Sequence, residues 1–132
     1  MRLLLVRHAD ALPGTPDELR PLTAEGRAAA HALGARLAGG GIRPAAILTS
    51  PLLRARETGD TLAAALGCAC EPSEALAPGA TADGVRRAVA GRGETVIAVG
   101  HQPDCGRIAA ALGDGTAPRF PPAGVADLQL GA

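Results

Sequence analysis

The sequence predicts an α/β fold with three layers, in which helices cover both faces of a mainly parallel sheet. Strand-like and helix-like segments alternate along the chain, and this alternation is typical of βαβ units. The first strand, Leu3–Val6, is continuously apolar, as expected for an interior strand that is buried on both faces. At 132 residues, the chain is long enough for one well-packed domain, which we expect to span residues 1–132.

Capping residues and glycines predict where the helices begin and end. Thr23 is the predicted N-cap of the first helix, and the run Gly39-Gly40-Gly41 is expected to end it. Ser50 and Pro51 form an N-cap and first-turn proline pair that opens the second helix, and Gly67 ends it. The pattern predicts helices at 24–37, 51–66, 82–90 and 103–112, strands at 3–6, 45–48, 95–99 and 125–130, a polar loop at 12–21 and a proline-containing connection at 71–80.

Composition excludes several classes of protein. The chain has 13 basic residues, all of them arginine, and 13 acidic ones, so its formal net charge is zero. A nucleic-acid or membrane-surface protein needs a basic excess, so we expect neither partner, and any anion site must be a local cluster of arginines. No apolar run approaches the length of a membrane span, and the N-terminus does not match a signal peptide, which makes the cytoplasm the expected location.

The three cysteines do not indicate a disulfide framework, because their number is odd. Cys68 and Cys70 have the spacing of half a metal site, but no second cluster of Cys and His matches it. We therefore expect no metal, and interpret this pair as small, semi-buried thiols near a helix end. A modulating role for this pair or for Cys105 is left open, as is the oligomeric state.

Three strand ends carry the same kind of chemistry. Arg7 and His8 follow the first strand, Arg54 lies in the first turn of the helix after the second, and His101 follows the third. Parallel strands deliver their carboxyl ends to one edge of a sheet, where open α/β folds bind their ligands. The sequence therefore predicts one shared site for an anion, with phosphate as the leading candidate.

Five segments, in this order, resemble the histidine phosphatase superfamily, and their spacing is similar to that of its compact branch, the SixA-like phosphohistidine phosphatases. They are Leu5–Ala9, Arg20–Gly26, Ser50–Ala55, Thr58 and Val99–His101. The resemblance covers nearly the whole chain. It implies a phosphoglycerate-mutase-like α/β/α fold that requires no metal or other cofactor.

The resemblance also implies a role for each matching residue. His8 would be the nucleophile that accepts the phosphoryl group as a phosphohistidine intermediate, because a neutral imidazole nitrogen can attack phosphorus in line. Arg7 and Arg54 match the phosphate-binding arginines, whose planar forks chelate phosphoryl oxygens. His101 matches a second histidine that donates to the same oxygens. Arg20 lies in a matching motif and either contacts phosphate or substrate or only anchors its loop.

Three other polar residues are assigned no catalytic role. His31 lies in the middle of the first helix, away from every strand end, and is interpreted as structural or surface. Ser50 and Thr58 are assigned to capping and packing, because the sequence pairs no base with either hydroxyl.

The general acid is the main departure from the family pattern. Mutases and broad phosphatases of the family carry a carboxylate between the second and third motifs, and neither Glu74 nor Asp83 clearly matches it. Asp10, two residues after the nucleophile, is a further candidate. Ala9 stands where the superfamily usually has glycine, a feature that also occurs in the SixA-like branch.

A missing acid favours a substrate with a good leaving group. Cleavage of an alkyl phosphate ester needs a proton for the alkoxide, which contributes ~10²–10⁴-fold, whereas the imidazole of phosphohistidine leaves more easily. The short chain also leaves few residues for a cap, so the site should be open. We therefore predict dephosphorylation of phosphohistidine on a signalling or phosphotransfer protein. The alternatives are a small-molecule phosphomonoesterase that uses Asp10, Glu74 or Asp83 as its acid, and a non-catalytic phosphate-binding module.

Overall fold

The computed structural model describes residues 1–131, which form one five-stranded sheet covered by four α-helices. The strands are β1 (Arg2–Arg7), β2 (Ala46–Thr49), β3 (Cys70–Pro72), β4 (Thr95–Gly100) and β5 (Val125–Gln129). The helices are α1 (Ala24–Gly39), α2 (Leu53–Leu66), α3 (Ala82–Val89) and α4 (Asp104–Leu112). The sheet order is β3-β2-β4-β1-β5, and β5 is the antiparallel member. This confirms the predicted α/β class and the mainly parallel sheet.

Successive residues of the interior strands pack against opposite helical layers. In β1, Leu3 and Leu5 belong to the apolar cluster that includes α3 and α4, whereas Leu4 and Val6 belong to the cluster that includes α1 and α2. Because both faces are covered, the strand is a continuous apolar run rather than an alternating one. Within residues 1–131, no helix has the length and apolar character needed to cross a membrane.

The segment between β1 and α1 is held against the carboxyl edge of the sheet. It contains a 3₁₀ turn at Asp17–Leu19 and an isolated antiparallel bridge between Ala11 and Leu22. Gly26 of α1 lies against the carbonyl oxygen of Asp10, and a Cβ atom at this position would come within 2.1 Å of that oxygen. This close approach requires glycine, and it fixes the segment next to the end of β1.

Two sequence predictions about the segments on either side of α2 are wrong. Residues 71–80 are not an unbroken connection, because β3 pairs in parallel with Ile47–Thr49. The α2 helix begins at Leu53 rather than Pro51, and its N-cap is Leu52, so Ser50 is not the capping residue. A three-residue edge strand that ends in proline has neither alternation nor length, which explains why the sequence pattern missed it. The other predicted boundaries agree with the structure to within two residues.

Candidate active site

A cavity of about 350 Å³ opens at the carboxyl edge of β1, β2 and β4. Its volume falls in the range of sites that bind small ligands. A groove beside α4 and β5 is larger, at about 460 Å³, but its lining contains no histidine or arginine. The cavity brings together all five predicted site residues with three more, its lining being Arg7, His8, Asp17, Arg20, Arg54, Pro78, His101 and Gln102.

The ring of His8 is oriented by the backbone. Its Nδ1 lies 2.7 Å from the carbonyl oxygen of Ala9. A carbonyl oxygen can only accept, so Nδ1 carries the proton of the neutral ring and Nε2 keeps its lone pair. Burial lowers the pKa of His8, and although the Ala9 carbonyl opposes this effect, the positive charges of Arg54 and Arg7 add to it. The imidazole is therefore neutral near pH 7, and its free lone pair is on Nε2.

Thr58 connects the segment that follows β1 to the helix that carries Arg54. The N–H of Ala9 donates to Thr58 Oγ1 at 3.0 Å, and this hydroxyl donates to the carbonyl oxygen of Arg54 at 2.8 Å. Ala9 is fully buried and does not adopt a positive φ. Alanine therefore fits this position without the backbone freedom of glycine.

His101 faces His8, with 5.1 Å between the ring centroids. Its Nε2 lies 2.7 Å from Ser50 Oγ, and the same oxygen accepts a hydrogen bond from the N–H of Leu52 at 3.2 Å. A serine hydroxyl can accept from Leu52 and donate its own proton to Nε2 at the same time, and in that arrangement the proton of the neutral ring lies on Nδ1. Burial, followed by the charges of His8 and Arg54, lowers the pKa of His101 to about 4. The ring is neutral and can offer one N–H to an anion.

Arg7 has an unsatisfied donor. Its Nη1 donates to the carbonyl oxygen of Phe120 at 2.9 Å, but its Nε is buried without a hydrogen-bond partner. A buried donor without an acceptor costs about 1–3 kcal/mol. An anion bound against this edge of the guanidinium would supply the acceptor.

Asp17 ties two cavity arginines together. Its Oδ2 accepts from Arg54 Nη2 at 3.2 Å, its carbonyl oxygen accepts from Arg54 Nη1 at 2.9 Å, and its Oδ1 accepts from Arg20 Nη1 at 3.0 Å. The hydrogen bonds from Arg20 and Arg54 lower the pKa of Asp17. Three arginines and one ionised carboxylate leave the lining with two positive charges. That charge complements a phosphoryl dianion.

The three acid candidates proposed from the sequence do not line the cavity. The carboxylate of Asp10 accepts from the hydroxyl of Thr23 at 3.0 Å, at the start of α1. Glu74 lies in a 3₁₀ turn, and Asp83 lies in the first turn of α3. Among residues 1–131, the carboxylate that does line the cavity is Asp17, which sequence reasoning missed. The one local signal was its position three residues before Arg20.

A second carboxylate that sequence reasoning missed supports the opposite wall. Asp104, at the start of α4, is only 8% exposed, and its Oδ2 accepts from the N–H groups of Gly79 and Ala80 at 2.8 and 3.3 Å. These bonds fix the segment that presents Pro78 to the cavity. Asp104 therefore positions the wall and does not line it.

The remaining candidate residues lie outside the cavity. His31 is exposed on α1. Burial raises the pKa of both Cys70 and Cys105 to about 12, so neither thiol is ionised at neutral pH. Within residues 1–131, no group of three or more His, Cys, Asp and Glu side chains is arranged to hold a metal ion.

Comparison with known proteins agrees with this geometry. The family model of the histidine phosphatase superfamily (branch 1) matches residues 3–78. An uncharacterized protein of Picosynechococcus sp. (strain ATCC 27264 / PCC 7002 / PR-6) is 40% identical over 123 residues, which cover 87% of this chain and 74% of that protein.

Solved structures with the same fold include the protein histidine phosphatase SixA complexed with tungstate. It aligns with a TM-score of 0.89 and 27% identity, over 98% of this chain and 88% of that one. A protein from Agrobacterium tumefaciens that is assigned to SixA aligns with a TM-score of 0.83 and 27% identity, over 96% and 89% of the two chains. These matches confirm the predicted phosphoglycerate-mutase-like fold and the resemblance to the SixA branch.

Proposed function

Because the chain belongs to the histidine phosphatase superfamily (branch 1), we propose that it is a phosphatase that acts through a covalent phosphohistidine on His8. Its substrate is phosphohistidine on a signalling or phosphotransfer protein. The observation that carries this substrate class is the state of Asp17, the cavity's carboxylate, which is ion-paired with Arg20 and Arg54.

The first step transfers the phosphoryl group to His8. The lone pair of Nε2 attacks phosphorus in line, a new P–N bond forms, and the P–N bond of the substrate breaks. The electron pair of the broken bond goes to the substrate imidazole, which takes up a proton from solvent. Nδ1 of His8 keeps its proton and donates it in a hydrogen bond to the Ala9 carbonyl oxygen. This bond stabilises the positive charge that develops on the ring.

The cavity side chains stabilise the phosphoryl group during this transfer. Arg7 and Arg54 bind its oxygens and offset its charge, and His101 donates from Nδ1 while Ser50 holds Nε2. All of these groups are positioned by strand ends or by the first turn of α2. Catalysis therefore comes mainly from orientation and electrostatics, and the mechanism needs no metal.

The second step returns His8 to its starting state. Water attacks the phosphorus, the P–N bond to Nε2 breaks, and the electron pair of that bond returns to the nitrogen. One proton of the water stays on the phosphate, and the other passes to solvent, balancing the proton taken up in the first step. The products are inorganic phosphate and the dephosphorylated histidine.

The substrate class follows from the ionised state of Asp17, which has no proton to give to a leaving group. A general acid must carry a proton, but the hydrogen bonds from Arg20 and Arg54 lower the pKa of Asp17 and keep it ionised. An alkoxide leaving group would therefore depart without help from the cavity. An imidazole leaving group takes its proton from solvent, so phosphohistidine fits this site better than a sugar phosphate does.

The test compares substrates on the unmodified protein. We expect the kcat/KM for a phosphotransfer domain that carries phosphohistidine to exceed that for glucose 6-phosphate by ~10²-fold or more. A metal chelator should leave the rate unchanged. Faster turnover of sugar phosphates or nucleotides than of the phosphohistidine domain would contradict the proposal and would favour a phosphomonoesterase.

A further inference from the structure

Two large apolar side chains are exposed on the segment that forms the rim of the cavity. Leu12 is 44% exposed and Leu19 is 59% exposed, and no other large apolar side chain in residues 1–131 is as open to solvent. A single exposed leucine is ordinary in a folded protein. Here both leucines lie on the segment that also contributes Asp17 and Arg20 to the cavity lining.

Hydrogen bonds within the rim segment hold the backbone of both leucines. The N–H of Leu12 donates to the carbonyl oxygen of Pro21 at 2.8 Å, and its carbonyl oxygen accepts from Arg20 Nε at 2.7 Å. The N–H of Leu19 donates to the carbonyl oxygen of Pro16 at 3.1 Å. Both residues are thus joined by hydrogen bonds to the frame that holds Arg20 in the cavity. A backbone that is ordered in advance loses little entropy when its side chains bind a partner.

We propose that Leu12 and Leu19 form a docking surface for the phosphorylated protein, whose apolar side chains around the phosphohistidine pack against them. The inference rests on the proposed function. Arg20 lines the cavity and donates to the carbonyl oxygen of Leu12, so a carrier whose phosphoryl group lies in the cavity comes next to the rim. A small phosphoramidate presents no apolar surface to the leucines, whereas a protein surface can cover both and remove them from water.

A second surface that borders the cavity also exposes apolar side chains. Gln102 lines both the cavity and a neighbouring groove of about 580 Å³, whose lining includes the exposed Pro118 and Pro121. The cavity therefore adjoins a second surface that exposes apolar side chains, together with Arg119. This arrangement suits a broad partner better than a compact, fully polar one.

The test uses the double variant Leu12→Ser/Leu19→Ser and a matched control, Ala32→Ser/Ala35→Ser. The control residues are exposed apolar positions in the second half of α1, away from the cavity. On a phosphotransfer domain that carries phosphohistidine, we expect the leucine variant to lose about tenfold in kcat/KM, mainly through KM. On phosphoramidate, its kcat/KM should stay within about twofold, and the control should match the unmodified protein on both substrates.

Several results would overturn the docking surface. The first is an unchanged kcat/KM of the leucine variant on the phosphorylated domain. The second is an equal loss on phosphoramidate or p-nitrophenyl phosphate, which would assign the leucines to the reaction or to a small apolar leaving group. The third is a change from dimer to monomer in sedimentation, which would assign them to self-association. If the unmodified protein hydrolyses phosphoramidate but not the phosphorylated domain, the proposed substrate class itself is overturned, and the docking surface with it.

Discussion

The two sides of the cavity are built in different ways. On the sheet side, Arg7 ends β1, His8 follows β1 and His101 follows β4. Backbone carbonyl oxygens orient the first two, because His8 Nδ1 donates to that of Ala9 and Arg7 Nη1 donates to that of Phe120. On the rim side, Asp17 lies outside the sheet and is 56% exposed. Under the proposed function, the sheet side performs the transfer, while the rim adjusts charge and access. Substitutions on the sheet side should therefore have the larger effects.

The largest effect is expected from His8→Ala, which removes the proposed nucleophile from the sheet side. We expect kcat on a phosphohistidine domain to fall on the order of 10⁴-fold or more. His31→Ala is the matched control, because His31 is exposed on α1 and does not line the cavity. Steady-state assays of both variants check the prediction, and a His8→Ala rate within about tenfold of the unmodified protein would show that another group is the nucleophile.

The second effect is a loss of stability in acid caused by the burial of His101. Its pKa is about 4 in the folded protein against an ordinary value of 6.5, so the unfolded chain binds more protons between these pH values. The free energy of unfolding should thus have its full value above pH 6.5. It should fall by about 3 kcal/mol as the pH drops to 4, at ~1.4 kcal/mol per pKa unit. Denaturant unfolding at several pH values measures it.

His101→Gln supplies the control for this acid effect. The variant should keep only the smaller part of the slope that His8 contributes, since burial lowers the pKa of His8 as well. An unfolding free energy that falls equally in the variant and in the unmodified protein would contradict the assignment to His101.

A smaller effect is expected from Ser50→Ala, which removes the partner of His101 Nε2. Without this hydroxyl the proton of the neutral ring is no longer held on Nδ1, so we expect kcat to fall about tenfold. Ser73→Ala is the matched control, because Ser73 Oγ caps a 3₁₀ turn by accepting from the N–H of Ala75. In a His101→Gln background, Ser50→Ala should have almost no further effect, and a full additional loss there would assign Ser50 to another role.

The smallest effect is expected on the rim, from Asp17→Asn. Removal of this negative charge leaves Arg54 and Arg20 without their ionised partner, so inorganic phosphate should inhibit about threefold more tightly, and less so at high salt. Glu18→Gln is the matched control, since Glu18 lies on the same 3₁₀ turn but outside the cavity lining. Weaker inhibition by phosphate in Asp17→Asn would show that Asp17 acts mainly by orienting Arg54.

The sequence predicted the sheet side of the site because parallel strands bring their ends to one edge. Arg7, His8, Arg54 and His101 each follow a recognisable strand or begin the helix after one, and all four line the cavity. Arg20 also lines it, and its hydrogen bond to Leu12 shows that it anchors the rim as well.

The parts that the sequence missed depend on contacts between distant segments. Asp17 bonds to Arg54, 37 residues away, and Ser50 bonds to His101, 51 residues away. For Ser50, the local pattern of serine before proline indicated an N-cap, but in the structure its hydroxyl is hydrogen-bonded to His101. No periodic or capping pattern encodes such pairs, because they form only when the strand ends meet.

The most direct test of covalent transfer is to find the atom that carries the phosphoryl group during turnover. The protein is mixed with labelled phosphoramidate and quenched in alkali, and mass spectrometry and ¹⁵N NMR then locate the phosphate. Because the Ala9 carbonyl holds the proton on Nδ1 of His8, phosphate should be found on Nε2 of His8. It should be absent from His8→Ala and retained in His31→Ala. Phosphate on Nδ1 of His8, on His101, or on no histidine would contradict the account.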